Sequence, residues 1–130
     1  MRNVLLASII FFGIISCSHN LRGEFEQGLN KYNTLLRWNE FETASLFAAQ
    51  PLQEEFLARS KASNVRIYDY RIVNAKYDEQ KSKASVEVEI DYYLLSTSRA
   101  KTLQDLEEWA YIEEKGIKSW RLMSPLPVFK

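Results

Sequence analysis

The sequence predicts an α+β fold, with two or three N-terminal helices packed on a curved four-stranded antiparallel sheet. Three observations carry that expectation. Phe25, Leu29, Tyr32 and Leu36 recur at helical spacing, four, three and four residues apart. Ala84, Val86, Val88, Ile90, Tyr92 and Leu94 alternate with Ser85, Glu87, Glu89 and Asp91, as in a strand with one dry and one wet face. Lys115-Gly116, between two strand-like runs, is a hairpin signal.

The chain has 130 residues, room for one domain after any leader. It opens with Met1-Arg2-Asn3 and then runs uncharged from Val4 to Ile15. That run is shorter than the roughly 20 apolar residues a spanning helix needs, and it fits the apolar core of a secretory signal. We therefore expect residues 1–16 to be a signal peptide, 17–23 a tether and 24–130 a single α+β domain. After the leader come 16 basic and 17 acidic side chains, because Arg2 is the one charge before Cys17. A near-neutral domain without a basic run offers no electrostatic footprint for nucleic acid, nor a polybasic patch for anionic lipid.

Cys17 and His19 are the only cysteine and the only histidine. They are two potential ligands where a structural zinc site needs four, so no metal or cofactor is expected. As a catalytic pair they would sit on a tether without an oxyanion scaffold. Apart from what its position after the apolar run implies, Cys17 is left as a free thiol or half of an intermolecular disulfide. Ile14-Ile15-Ser16-Cys17 resembles the bacterial lipobox, which Ile14, Ser16 and Cys17 fit and from which Ile15 departs. That resemblance implies a diacylglyceryl group on the Cys17 thiol, cleavage before it and acylation of the new amino terminus. Two acyl chains suffice for stable anchoring, at about 0.8 kcal/mol per buried methylene. By the same resemblance, Ser18 implies outer-membrane sorting, facing the periplasm, in a source with two membranes.

In the first helix, Glu24 and Glu26 suit the positive end of its dipole. A second helical stripe runs through Trp38, Phe41, Ser45 and Ala48, with Asn39 as cap, Glu42 completing a capping box, and Pro51 as a stop or kink. "LQEEFLARS" reads as a short third helix burying Leu52 and Phe56. "VRIYDYRIVNAKY" reads as a long strand whose alternation breaks. Val65 and Ile67 share one face, Tyr70 and Ile72 the other, and a bulge near Asp69 would restore a single inner face. The carboxylate row Glu87, Glu89, Asp91 is either an acid–base or cation site or a wet face paired with Arg66, Arg71 or Lys76. Asp69, Asp91 and Asp105 are placed mostly outward by alternation. Trp120 and Leu122 share a face of the last strand, and "SPLPVFK" leaves the sheet as an extended tail.

The element order, the "LLRWNEFETASLF" helix pair and the "SWRLMSPLP" ending resemble the nuclear transport factor 2-like, cystatin-like cone. The resemblance implies a sheet wrapped around the first helix and a cone that holds a pocket in some members. Tyr70, Tyr92, Trp109 and Trp120 are candidates to line its mouth, or else they fill the core. Three functions follow. The first is a non-catalytic, lipid-anchored envelope module with a protein partner. The second is a carrier or sensor of a small apolar ligand. The third, least favoured, is an isomerase- or dehydratase-type enzyme with Asp69 as base and Tyr70 or Tyr92 as donor.

Overall fold

The computed structural model describes residues 20–130, so the expected leader, Cys17 and His19 lie outside the described residues. Three helices, α1 (Leu21–Arg37), α2 (Phe41–Ser45) and α3 (Gln50–Ser63), precede four strands. The strands are β1 (Val65–Asp78), β2 (Lys83–Leu94), β3 (Ala100–Glu114) and β4 (Ile117–Leu122), in an antiparallel meander of order β1-β2-β3-β4. The α+β class and the four-stranded antiparallel sheet are as expected.

Helix α1 begins at Leu21, so the folded part takes in the last residues assigned to the tether. Asn20 is the reason: its Oδ1 accepts the Gly23 amide at 3.0 Å, satisfying one free donor of the first turn. A Cβ at Gly23 would lie 2.7 Å from the Asn20 side chain, so glycine is what lets this cap close. The expected stripe, Phe25, Leu29, Tyr32 and Leu36, is buried.

The second stripe does not form one helix. Trp38 is exposed, α2 ends at Ser45, and Ala48 bridges to Leu122 beside β4. Asn39 is not a cap. It sits at φ +59°, and its side chain pairs with the edge of β1, Nδ2 donating to Ile67 O at 2.9 Å and Oδ1 accepting Ile67 N–H at 2.8 Å. Glu40, which takes the cap position, makes no side-chain cap bond. Pro51 starts a helix rather than stopping one. It lies in the first turn of α3, where its missing N–H costs nothing, while Glu114 Oε2 accepts the Gln50 amide at 2.8 Å. Asn64, in the left-handed region at φ +49°, ends α3.

The bulge expected near Asp69 is present, and a second follows. The β1–β2 register slips between Ile67 and Asp69 and again between Ile72 and Asn74, leaving Tyr68 and Val73 as the extra residues. Between them the slips bring Val65, Ile67, Tyr70, Ile72, Ala75 and Tyr77 opposite Leu94, Tyr92, Ile90, Val88, Val86 and Ala84. On this common face Val65, Ile67, Tyr70 and Tyr77 pack into the core with α1, while Ile72 and Ala75 stay exposed. At the β3–β4 hairpin Lys115 and Gly116 both have positive φ, 51° and 77°, as a type I′ turn requires. The tail is extended and also packs: Leu126 and Phe129 are buried, and Arg59 Nη1 donates to Leu126 O at 2.8 Å.

The Asn39 contact yields a measurable expectation. Asn39→Ala loses two hydrogen bonds at about 1 kcal/mol each and strains a positive φ by about 1 kcal/mol more. Chemical denaturation should show a loss of about 2–4 kcal/mol. Asn39→Gly, which relieves the backbone alone, should recover about 1 kcal/mol of it. An unchanged midpoint for Asn39→Ala would contradict the assigned contact.

Candidate functional site

Antiparallel pairing of β3 on β2 sets Ala84 against Trp109, Val86 against Glu107 and Val88 against Asp105. Since Ala84, Val86 and Val88 face the helices, Asp105 and Glu107 do too. The outward placement expected for Asp105 is therefore overturned: its side chain is buried, and Glu107 is fully buried, beneath α1. The residue that faces outward instead is Leu106, 53% exposed.

Glu107 Oε1 accepts two hydrogen bonds, from Asn33 Nδ2 at 3.2 Å and from Trp109 Nε1 at 3.1 Å. Asn33 Nδ2 also donates to Leu29 O one turn back, at 3.1 Å. The bridge thus joins α1 to β3 through one amide. Around it, the Tyr32 ring meets Trp109 edge-on at 5.5 Å and Phe56 at 6.2 Å. In this cluster three buried atoms have no hydrogen-bond partner among the described residues, namely Glu107 Oε2, Asn33 Oδ1 and the Tyr32 hydroxyl. Buried polar atoms are normally satisfied by protein or by internal water.

Burial raises the Asp105 carboxyl to about 7. Burial first, and then the charge of Asp105, raises Glu107 to about 8, against the opposing pull of its Trp109 and Asn33 hydrogen bonds. Burial and the same two carboxylates push the Tyr32 hydroxyl up as well. Near neutral pH Glu107 is therefore mostly a neutral acid, able both to donate and to accept. Chemically this is a proton-holding group without access to solvent.

The clefts lie at the surface. One of about 400 Å³ runs between α2 and α3, edged by Glu40, Glu42 and Lys61. Another, about 330 Å³, is formed by Leu21 and Arg22 at the start of α1 with Tyr77 and Glu79. Among the described residues, no group of three or more histidine, cysteine or carboxylate side chains is placed to hold a metal ion.

The four aromatic candidates do not meet at one mouth. Trp109 and Trp120 both pack on Phe25, at 6.2 and 5.1 Å, and the Trp120 indole donates to Leu21 O at 2.9 Å. Tyr92 is at the other end of the sheet, edge-on to Phe129 at 5.0 Å and donating to Lys130 O at 2.8 Å. Tyr70 is half-buried, its hydroxyl 3.4 Å from Thr34 Oγ1. Asp69 pairs with Asp91 across the outer face and accepts the Tyr70 amide at 2.9 Å, so it does not reach the space beneath α1. Of the outer carboxylate row, Glu89 and Asp91 are paired on a wet face, and Glu87 is exposed beside them. Arg71 bridges Glu89 at 3.0 Å and Asp91 at 2.6 Å, and Thr102 donates to Asp91 at 2.6 Å. These bonds, Arg71 first, hold the Asp91 carboxyl below its ordinary value.

No family model matches the chain, and no curated protein matches it. Among solved structures it is similar to a SEC-C motif-containing protein from Psychrobacter arcticus, with a TM-score of 0.59 at 14% identity. The match covers 82% of this chain and 62% of that one, and at this identity it speaks to the fold alone.

The buried pair makes stability pH-dependent with a definite sign. Asp105 and Glu107 hold protons more tightly in the folded state than an unfolded chain does. Their contribution is complete below the ordinary carboxylate range and is lost as pH rises through about 7 to about 8. Thermal unfolding midpoints should fall between about pH 5 and about pH 9, and Glu107→Gln, which keeps the acceptor, should flatten that fall. Parallel curves for the two proteins would contradict the burial of an ionisable Glu107.

Proposed function

We propose that the chain is an exported lipoprotein whose domain serves binding or assembly at the cell envelope without carrying out a reaction. Residues 1–16 are the leader, and Cys17, carrying lipid, becomes the first mature residue. The observation that carries this reading is Ile14-Ile15-Ser16-Cys17 closing an uncharged run three residues before the helix cap Asn20. Among the described residues no helix is long and apolar enough to cross a membrane, which is consistent with attachment through lipid. In a source with two membranes, Ser18 favours the outer one. The architecture is read more finely as nuclear transport factor 2-like. That reading draws on helices before a four-strand meander, a bulged first strand and a terminal hairpin that packs against the start of α1.

Support for a non-catalytic role comes from where the acids are: Asp69 on the outer face, Asp105 and Glu107 beneath α1. A partner protein or ligand would then meet the outer surface. A second reading, a small-ligand carrier, draws on the three unpartnered atoms Tyr32 Oη, Asn33 Oδ1 and Glu107 Oε2. It requires α1 to lift from the sheet to admit the ligand.

Cys17→Ser, expressed in a bacterium that processes lipoproteins, should accumulate as an uncleaved precursor that keeps its leader and never gains acyl mass. Intact-mass measurement and detergent partitioning read this directly. A variant that is cleaved after Ser16 and partitions as the parent does would sink the lipoprotein reading.

A further inference from the structure

The end of the domain that receives the tether also presents an exposed apolar side chain on a tight turn. Ile117, the first residue of β4, is 67% exposed. It directly follows the Lys115-Gly116 turn and precedes Lys118. A large aliphatic group at a hairpin tip between two lysines is a poor choice for water. It suits a membrane interface, where the apolar tip enters and the ammonium groups stay at headgroup level.

Position makes the pattern specific. Trp120 donates its indole N–H to Leu21 O, so β4 runs beside the first residue of α1. Ile117 lies three residues further along the strand, about 10 Å beyond that contact at the usual strand rise. Cys17 precedes Leu21 by four residues, which reach about 14 Å at full extension. The β1–β2 turn is at the same end: Tyr111 N–H donates to Ser82 O at 2.9 Å, and Arg22 lies over the Tyr77 ring at 5.6 Å. That turn adds Lys81 and Lys83, with Asp78 and Glu79 beside them and Glu113 on the neighbouring hairpin. The opposite end carries the exposed β2–β3 connection around Thr97, and near it the chain terminus, whose Lys130 O accepts from Tyr92 and Lys101.

We infer that the β3–β4 hairpin tip is a second membrane contact, with Ile117 entering the headgroup boundary of the bilayer that holds the Cys17 lipid and Lys115 and Lys118 meeting its phosphates. This rests on the lipoprotein reading and deepens it, because a short tether and a rigid second contact together fix how the domain stands. The β2–β3 connection and the C-terminus then point away from the membrane, where a partner would find them.

The test uses the full chain, purified from a host that lipidates it and reconstituted in vesicles of phosphatidylethanolamine and phosphatidylglycerol. An environment-sensitive fluorophore is attached at Glu113→Cys, opposite Lys118 in the β3–β4 pair, or, as the far-end control, at Thr97→Cys, and headgroup spin-labelled lipid is the quencher. We expect quenching at position 113 to exceed that at 97 by at least about twofold, as for a group at the interface. Adding Ile117→Glu should abolish most of the excess. Equal quenching at the two positions, in protein that floats with the vesicles, overturns the second contact while leaving the anchor intact. An excess that survives Ile117→Glu overturns the role of Ile117. Protein that fails to float and takes label at Cys17 overturns the lipoprotein reading, and this inference with it.

Discussion

Six side chains of β1, from Val65 to Tyr77, share one face of the sheet only because the strand slips one residue at Tyr68 and again at Val73. A strand's side chains alternate, so each uncorrected slip would turn the rest of the strand inside out. With both slips in place, Val65, Ile67, Tyr70 and Tyr77 join the inward residues of β2 in the core around Phe25, Leu29, Tyr32 and Leu36 of α1, while Ile72 and Ala75 lie on the same face but exposed. The slips also increase twist locally and blunt a long edge strand, an arrangement that discourages pairing with other chains. Asn39 reinforces the same edge by acting as a one-residue strand on Ile67, just before the first bulge.

Once α1 is seated, the fate of Glu107 follows. The carboxyl is taken from water and given two hydrogen bonds, while its second oxygen is left without a partner. A lone ionised carboxylate there would be expensive, and the cost is met by holding the proton. The Asn33–Glu107 bond then ties the rotation of α1 to the register of β3 through neutral groups. Apolar contacts on a helix tolerate small rotations, whereas a buried amide-to-carboxyl bond does not. In that sense the polar pair specifies the packing that the apolar stripe drives.

Much of this was legible in residue patterns. The α1 stripe, the β2 alternation and the Lys115-Gly116 turn depend on local periodicity and turn chemistry, and each formed as its residues indicated. Asn39 and Pro51 were misread because capping and helix-start signals share residue types: an asparagine at positive φ serves a strand edge as well as a helix cap. In β3 the two faces compete. Leu106, Ala110 and Ile112 argue for one, Leu103, Trp109 and Tyr111 for the other, and the second set carries Asp105 and Glu107 with it. The two large aromatics sharing a parity with the acids was the available signal. It decides the matter because Trp109 and Tyr111 have far more apolar surface to bury than Leu106 and Ala110. Where Asn33 and Glu107 meet was not readable, since 74 residues separate them.

The functional account turns on whether the face beneath α1 stays closed. If it does, the surface left for any contact is the outer one. If α1 lifts, the unpartnered atoms around Glu107 become a binding site. Native-state amide hydrogen exchange, followed through a range of low denaturant concentrations, separates the two. The account predicts that the amides of Tyr32, Asn33 and Leu36 exchange only through global unfolding, with the same free energy as Val86 and Val88 in the central strand β2. Exchange of the α1 amides through a separate opening, several kcal/mol below that of β2 and with a smaller denaturant dependence than global unfolding, would show α1 opening on its own and would contradict the closed domain.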